Sequence, residues 1–278
     1  MKPDKLIIFD YSGTLSLQSV LFGQLDSLQS ALDKSGLSRL GITPSLFWEE
    51  IVNPTWMEGS TTQLGYKQVM LRRLREWTAF QNPAPLPLTD SGLQKAVADF
   101  VDFYLAYSRM EESWRPILRG LSSQRDVCTI IATDHYAEAT PAILNFLAKW
   151  DIPALPAEQA FGSQRPALII VANSADLGVH KNSPLFWQFL KSGLELQDLR
   201  DILLIDDFGY NEEAGDAYGE KERVEMRQAK TTRLLRDVFS ANLHIFRFFL
   251  KRKTDPQAYE NLMIQAGLFV DRFLGRKS

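Results

Sequence analysis

The chain has 278 residues, 45% of them hydrophobic, with a formal net charge of −3. That is enough for a sizeable core, one large domain with a smaller one beside it, and the overall charge gives no pointer to nucleic acid. A lone cysteine, Cys128, excludes a disulfide framework and a cysteine-rich zinc site.

The first element is an unbroken apolar run, Leu6 to Phe9, ending on Asp10. Such a run suits a strand buried on both faces of a parallel sheet. Gly13 permits a sharp turn after it, so Asp10, Ser12 and Thr14 are expected at the rim of a cleft beyond the strand's carboxyl end. Helical spacing then dominates for about a hundred residues. Helices are expected over Val20–Leu32, Pro44–Val52, Gln63–Phe80 and Leu93–Met110, with the proline-rich stretch 83–87 breaking the third. No strand signal interrupts this block. It reads as a helical insertion at 16–113, between a first piece at 1–15 and the remainder at 114–278. Strand and helix alternate after Trp114. Strands are expected at Val127–Thr133, Ala167–Val171, Asp201–Asp206 and Leu243–Phe249. Helices are expected at Tyr136–Trp150, Pro184–Leu194, Lys221–Phe239 and Asp255–Leu274. The fold class is therefore α/β: a Rossmann-like parallel sheet with helices on both faces and right-handed crossovers, plus an all-helical cap. Cys128, inside the second strand, is expected as a buried small hydrophobe.

Residues 220–278 carry 13 Lys and Arg against 7 Asp and Glu, a local +6. A basic segment of this kind can face a polyanion, though solvated helix faces are the commoner explanation. The N-terminus enters the first strand almost at once with no signal peptide, and no apolar run is long enough to span a bilayer. A cytoplasmic protein without a membrane partner is expected.

The polar groups at the strand ends suit one chemistry. Strand one ends at Asp10. Strand two ends at Thr133, followed by Asp134 and His135. His180, Lys181, Asn182 and Ser183 lead into a helix, and strand four ends at Asp206 and Asp207, with Glu212 beyond. A carboxylate attacking phosphorus needs its charge countered, the phosphoryl oxygens held, and a divalent cation bridging carboxylate and phosphate. Lys181 can supply the first, Thr133 and nearby amides the second, and Asp10 with Asp207 can offer oxygens to magnesium. Singly, each has an ordinary role: Asp10 and Thr133 as caps, Lys181 as a solvated helix-start lysine, Glu212 as a surface acid. Their order at successive strand ends sets them apart.

The set resembles the haloacid dehalogenase-like hydrolase superfamily across the whole chain. Phe9-Asp-Tyr-Ser-Gly-Thr-Leu15 is similar to its first motif and Ile130-Ile-Ala-Thr133 to its second. His180-Lys-Asn-Ser-Pro-Leu-Phe186 is similar to its third, and Leu203-Leu-Ile-Asp-Asp-Phe-Gly-Tyr-Asn-Glu212 to its acidic fourth. The resemblance implies a hydrolase with Asp10 as nucleophile and Thr133 and Lys181 holding the phosphoryl group. Asp10, the Ser12 carbonyl and Asp207 would bind Mg2+, with Asp206 or Glu212 in support or as a further ligand. Ser12, Gly13, Asp134 and His135 would stand near a small phosphorylated metabolite. The cap would select that substrate, with Trp48, Trp56, Met57, Glu58 and Tyr66 as candidates to face the cleft.

One position departs from the family pattern. Most family phosphatases carry a second aspartate, a general acid and base, where this chain has Ser12. A hydroxyl does not exchange protons near neutral pH as a carboxylate does, so phosphomonoester hydrolysis is expected to be slow or specialised. His135 is a candidate stand-in, though a helix-start histidine with no catalytic role is the commoner case. Two alternatives stay open: a fold-keeping protein that binds a phosphorylated ligand without turnover, and a metal-free hydrolase attacking carbon, as in the 2-haloacid dehalogenases.

Overall fold

The computed structural model describes residues 2–81, 88–162, 168–211, 221–251, 253 and 255–276. Glu212 and the proline-rich stretch 83–87 lie outside the described residues, as does Ala167. Six strands form one sheet: β1 (Lys5–Asp10), β2 (Val127–Thr133), β3 (Ala154–Pro156), β4 (Ile169–Asn173), β5 (Asp201–Asp206) and β6 (Asn242–Arg247), in the order β3-β4-β2-β1-β5-β6. Every pairing is parallel. The order places β1 between β2 and β5, so Asp10, Thr133 and Asp206 end three neighbouring strands.

The apolar runs explain that placement. Ile7 and Phe9 enter one buried cluster with Trp114, Ile131 and Ile205, while Leu6 and Ile8 enter the other with Phe186, Trp187 and Leu204. Successive side chains alternate across a strand, so a strand covered on both faces must be apolar at every position. Phe9 meets Trp114 edge to face, at 5.6 Å between ring centres. Trp114 in turn donates its indole N–H to the Thr14 carbonyl at 3.0 Å, which fixes the turn after β1 to the core. Cys128 is buried among the second set, as expected.

The insertion packs around its own apolar centre, in which Phe22, Leu28, Phe47, Met70, Leu74, Phe100 and Val101 meet. Its elements differ from the expected ones in two places. The Val20–Leu32 helix is two, Leu17–Phe22 and Leu25–Ser35, broken at Gly23. The helix beginning at Pro44 does not stop at Val52 but runs on through Pro54 to Gly59. Proline cannot donate to the carbonyl four residues back, here that of Glu50. The helix widens over Phe47–Val52, and Arg73 Nε donates to the Glu50 carbonyl instead, at 2.6 Å. The other two insertion helices are Tyr66–Gln81 and Asp90–Tyr107.

In the sheet layer, β2 and β5 fall where the apolar runs placed them. The third expected strand begins at Ile169 and reaches Asn173, and the fifth runs Asn242–Arg247 rather than to Phe249. β3 carries no apolar run that marks it in the sequence, and the Arg115–Ser122 helix is not among the expected elements although Ile117, Leu118 and Leu121 stand at helical spacing. The remaining helices include Ala139–Lys149, Pro184–Gly193, Lys221–Phe239 and Pro256–Leu274, with two short ones at Ala157–Ala160 and Ser174–Leu177. No helix among the described residues is long and apolar enough to cross a membrane.

Candidate active site

Asp10 ends β1 almost fully buried, at 6% exposure. Its Oδ1 forms an ion pair with the ammonium of Lys181, which also lies 3.7 Å from Asp206 Oδ2. Lys181 is held from behind: its backbone N–H donates to Asp134 Oδ1 at 2.8 Å, and its carbonyl accepts from the indole of Trp187 at 2.7 Å. Asp134 thus anchors the loop that delivers the lysine. Burial opposes the Lys181 charge, but Asp10, Asp206 and Asp134 outweigh it and raise its pKa, so it stays an ammonium. Burial, seconded by the Asp206 and Asp134 charges and opposed by Lys181, raises the Asp10 carboxyl well above the usual carboxylate range.

The turn after β1 and the turn after β5 are built against each other. Gly13 has φ +78°, and a Cβ there would stand 2.5 Å from Asp207 Oδ2. Thr14 Oγ1 accepts the Asp207 N–H at 3.0 Å. Asn211 completes the joint, and sequence reasoning missed it. Its N–H donates to Asp207 Oδ2 at 3.0 Å, and its amide donates to the carbonyls of Gly13 at 2.7 Å and Phe248 at 2.8 Å. Its own side-chain oxygen accepts from Leu250 N–H at 2.9 Å. Four hydrogen bonds thus hold this buried residue. Asparagine in the acidic motif was the available signal, but its partners are distant in sequence. Asp206 Oδ1 accepts the Phe208 N–H at 2.6 Å, with Phe208 in the left-handed region at φ +54°.

The donor set fits a hard divalent cation. One oxygen from each of Asp10, Asp206 and Asp207 lies within 4.8 Å of the other two, and all three residues are buried. With Lys181, the quartet carries a formal excess of two negative charges. Buried carboxylates of this density need a counter-charge, and carboxylate oxygens suit magnesium. Ser12, half-buried, sits beside this cluster in the turn, where it bridges to Ser16. Thr133, in register with Asn173, is 1% exposed at the end of β2.

His135 is placed differently from the rest. Its Nδ1 accepts the Tyr136 N–H at 2.9 Å, which puts the ring proton on Nε2, and Nε2 donates to the Tyr104 hydroxyl at 2.5 Å. The ring stacks on Tyr104 at 5.5 Å. Burial pulls its pKa down to about 4. Both nitrogens are therefore engaged and the ring is neutral at pH 7. It joins the sheet layer to the Asp90–Tyr107 helix of the insertion.

The insertion closes over this region along one seam. Tyr136 stacks on Tyr66 at 3.9 Å and meets Trp56 edge to face. Glu138 accepts the N–H groups of Tyr66 at 2.6 Å and Lys67 at 3.1 Å, which caps the Tyr66–Gln81 helix from across the seam. Ser60 Oγ donates to the Trp56 carbonyl at 2.5 Å and lies 2.6 Å from His180 Nε2, one residue before Lys181. Of the expected cleft-facing residues, Trp56 and Tyr66 lie in the seam. Glu58 instead pairs with Arg72, Met57 is 66% exposed, and Trp48 packs beside Gly23 within the insertion.

No protein-family model and no curated protein matches the sequence. Solved structures of similar fold include a 2-haloacid dehalogenase from Pseudomonas syringae pv. Tomato DC3000, 14% identical with a TM-score of 0.46, over 79% of this chain and 84% of that one. A HAD-family enzyme from Bacteroides thetaiotaomicron, solved as an aspartate-to-alanine mutant with magnesium and inorganic phosphate, is 10% identical with a TM-score of 0.46, over 92% and 98%. An L-2-haloacid dehalogenase from Xanthobacter autotrophicus, with chloropropionic acid covalently bound, is 14% identical with a TM-score of 0.41, over 76% and 74%. At TM-scores below 0.5 these likenesses carry no argument, and the reading of the residues rests on the site geometry. A six-stranded parallel sheet with helices packed on it and a helical insertion after the first strand is the α/β architecture expected from the sequence.

Proposed function

We propose that the chain is a magnesium-dependent hydrolase of phosphorylated small molecules, acting through an aspartyl-phosphate on Asp10. The observation that carries this reading is the buried triad Asp10, Asp206 and Asp207, with oxygens within 4.8 Å of one another and a lysine at its edge. Attack on carbon needs no such excess of negative charge, which disfavours the metal-free dehalogenase reading. Asp10, Asp207 and Asp206 would hold Mg2+, together with the Ser12 carbonyl. When bound, the ion would neutralise the carboxylates and draw charge from the phosphoryl oxygens.

The rest is done by side chains. Asp10 Oδ forms a bond to phosphorus as the bond to the leaving oxygen breaks. Lys181 and Thr133 hold the phosphoryl oxygens while charge develops on them. Water then attacks the phosphorus, the bond to Asp10 breaks, and inorganic phosphate leaves with the carboxylate restored. No carboxylate stands at position 12 to give the leaving oxygen its proton. Substrates whose leaving group departs as an anion, such as aryl, acyl or anhydride phosphates, are favoured. We assign the protein to the cytoplasm on the same reading, as an enzyme of soluble metabolites.

A second reading has its own observation. Ser12 lacks acid–base capacity, and His135 has both nitrogens engaged. A protein that binds a phosphorylated ligand and releases it unchanged meets both facts. Trapping with beryllium fluoride and magnesium separates the two. Stoichiometric capture lost in Asp10→Asn, together with turnover of acetyl phosphate, supports the hydrolase. Capture without turnover of any activated phosphate supports the binding protein.

A further inference from the structure

The candidate site leaves the outer edge of β6 unused. β6 pairs with β5 on one side, and among the described residues no strand pairs with the other. The ladder fixes which backbone groups are left over. Asn242 and Phe248 donate their N–H groups toward β5, to the carbonyls of Arg200 at 2.9 Å and Asp206 at 3.1 Å. Hydrogen-bonding direction alternates along a strand. Leu243, Ile245 and Arg247 therefore turn their N–H and C=O groups outward.

A groove of about 630 Å³ runs beside this edge, between β6 and the Lys221–Phe239 helix. Ile245, Arg247 and Tyr210 line the strand side, and Thr232, Arg233 and Arg236 line the helix side. Arg233 shares its charge with Asp237 at 3.5 Å. Arg236 and Arg247 have no carboxylate partner among the described residues, and Glu225 is the one other acid lining the groove. The Arg247 guanidinium lies 4.6 Å from the centre of the Tyr210 ring, an arrangement that leaves its N–H edge open to an oxyanion. Exposed edges are commonly blunted by charge. Here three arginines outnumber the two acids, Glu225 and Asp237, and sit beside a cavity.

We propose that this edge and groove dock an extended acidic segment of a partner protein. The segment adds as a seventh strand and directs alternate carboxylates at Arg233, Arg236 and Arg247. Backbone bonds supply affinity, and the arginine stripe supplies selection. A second copy of this chain is disfavoured as occupant, because pairing β6 with β6 brings two arginine stripes together. This surface is independent of the reading given to Asp10.

The test uses the full chain and a fluorescein-labelled octapeptide of alternating valine and glutamate, with a valine–lysine octapeptide as control. Anisotropy should show binding of the acidic peptide only. Amide exchange at Leu243, Ile245 and Arg247 should slow at least tenfold at saturation. Ile245→Pro removes an outward N–H, a position where edge strands tolerate proline, and should weaken binding at least tenfold. Arg233→Glu combined with Arg236→Glu should reverse the preference to the lysine peptide, and it decides the matter should Ile245→Pro fail to fold. No binding up to about 1 mM peptide, a concentration at which even weak complexes form, overturns the proposal. Equal binding of both peptides overturns it too, as does unchanged exchange at the three amides. A wild-type dimer in sedimentation that Ile245→Pro abolishes would assign the edge to a second copy instead.

Discussion

Gly13 and Asp207 are packed so closely that a side-chain carbon at position 13 would stand 2.5 Å from the Asp207 carboxylate, at a backbone φ of +78°. The turn after β1 can therefore lie against the turn after β5 only because residue 13 has no side chain. Gly13→Ala is expected to push the Asp207 carboxylate aside and strain the turn, at about 1–3 kcal/mol. Thermal unfolding should show a clearly lower Tm, and calorimetry a magnesium affinity at least tenfold weaker. Wild-type affinity in this variant would mean that the close approach is not what aims Asp207.

Asp10→Asn should remain folded and lose turnover entirely, since the amide keeps the shape but not the nucleophilicity. Asp207→Ala should abolish magnesium binding in the millimolar range or tighter. Steady-state assays of the first variant and calorimetry of the second test the two roles separately. Activity in Asp10→Asn sinks the nucleophile assignment, and retained magnesium in Asp207→Ala sinks the metal assignment.

Ser12→Asp should raise phosphatase activity at least tenfold. General acid–base catalysis contributes roughly 10²–10⁴-fold, and an introduced carboxylate without supporting partners recovers only part of it. The gain should be larger on alkyl phosphates, whose leaving oxygen needs a proton, than on aryl phosphates. The control is Ser12→Asp/Asp10→Asn, which should be inactive. A silent Ser12→Asp that still binds magnesium would favour the non-catalytic reading.

His135 supplies a pH dependence of stability. Its pKa is about 4 in the folded protein, against about 6.5 when unfolded. Between those values the unfolded chain binds a proton that the folded one does not. Stability is thus fully present above about pH 6.5 and falls as pH drops toward 4, by an amount on the order of 3 kcal/mol. His135→Asn retains an acceptor for the Tyr136 N–H and should flatten that part of the profile. Parallel denaturant titrations at pH 7 and 4.5 measure the difference, and equal pH slopes in the two proteins would refute it.

Legibility in the sequence followed burial. β1, β2 and β5 are covered on both faces, so they appear as unbroken apolar runs and their polar end residues stand out. β3 has only three half-buried residues, ends on Pro156 at the sheet edge, and offers no run to read. The helix through Pro54 looked finished because the residue that rescues its free carbonyl, Arg73, belongs to another helix. Asp10, Lys181, Asp206 and Asp207 could be proposed from motif order. Asn211 and Glu138 could not, since they act through partners as far as 198 and 72 residues away. His135 shows the opposite case: its position beside the cleft was legible, but the tyrosine that occupies it was not.

The two chain crossings into the insertion are tied to one another close to Asp10. The Tyr11 hydroxyl donates to the Ser108 carbonyl, and Glu111 N–H donates to the Leu15 carbonyl at 2.9 Å. Both crossings are thus joined to each other within a few residues of Asp10. A substitution in either crossing is therefore transmitted to the turn after β1 through these two hydrogen bonds.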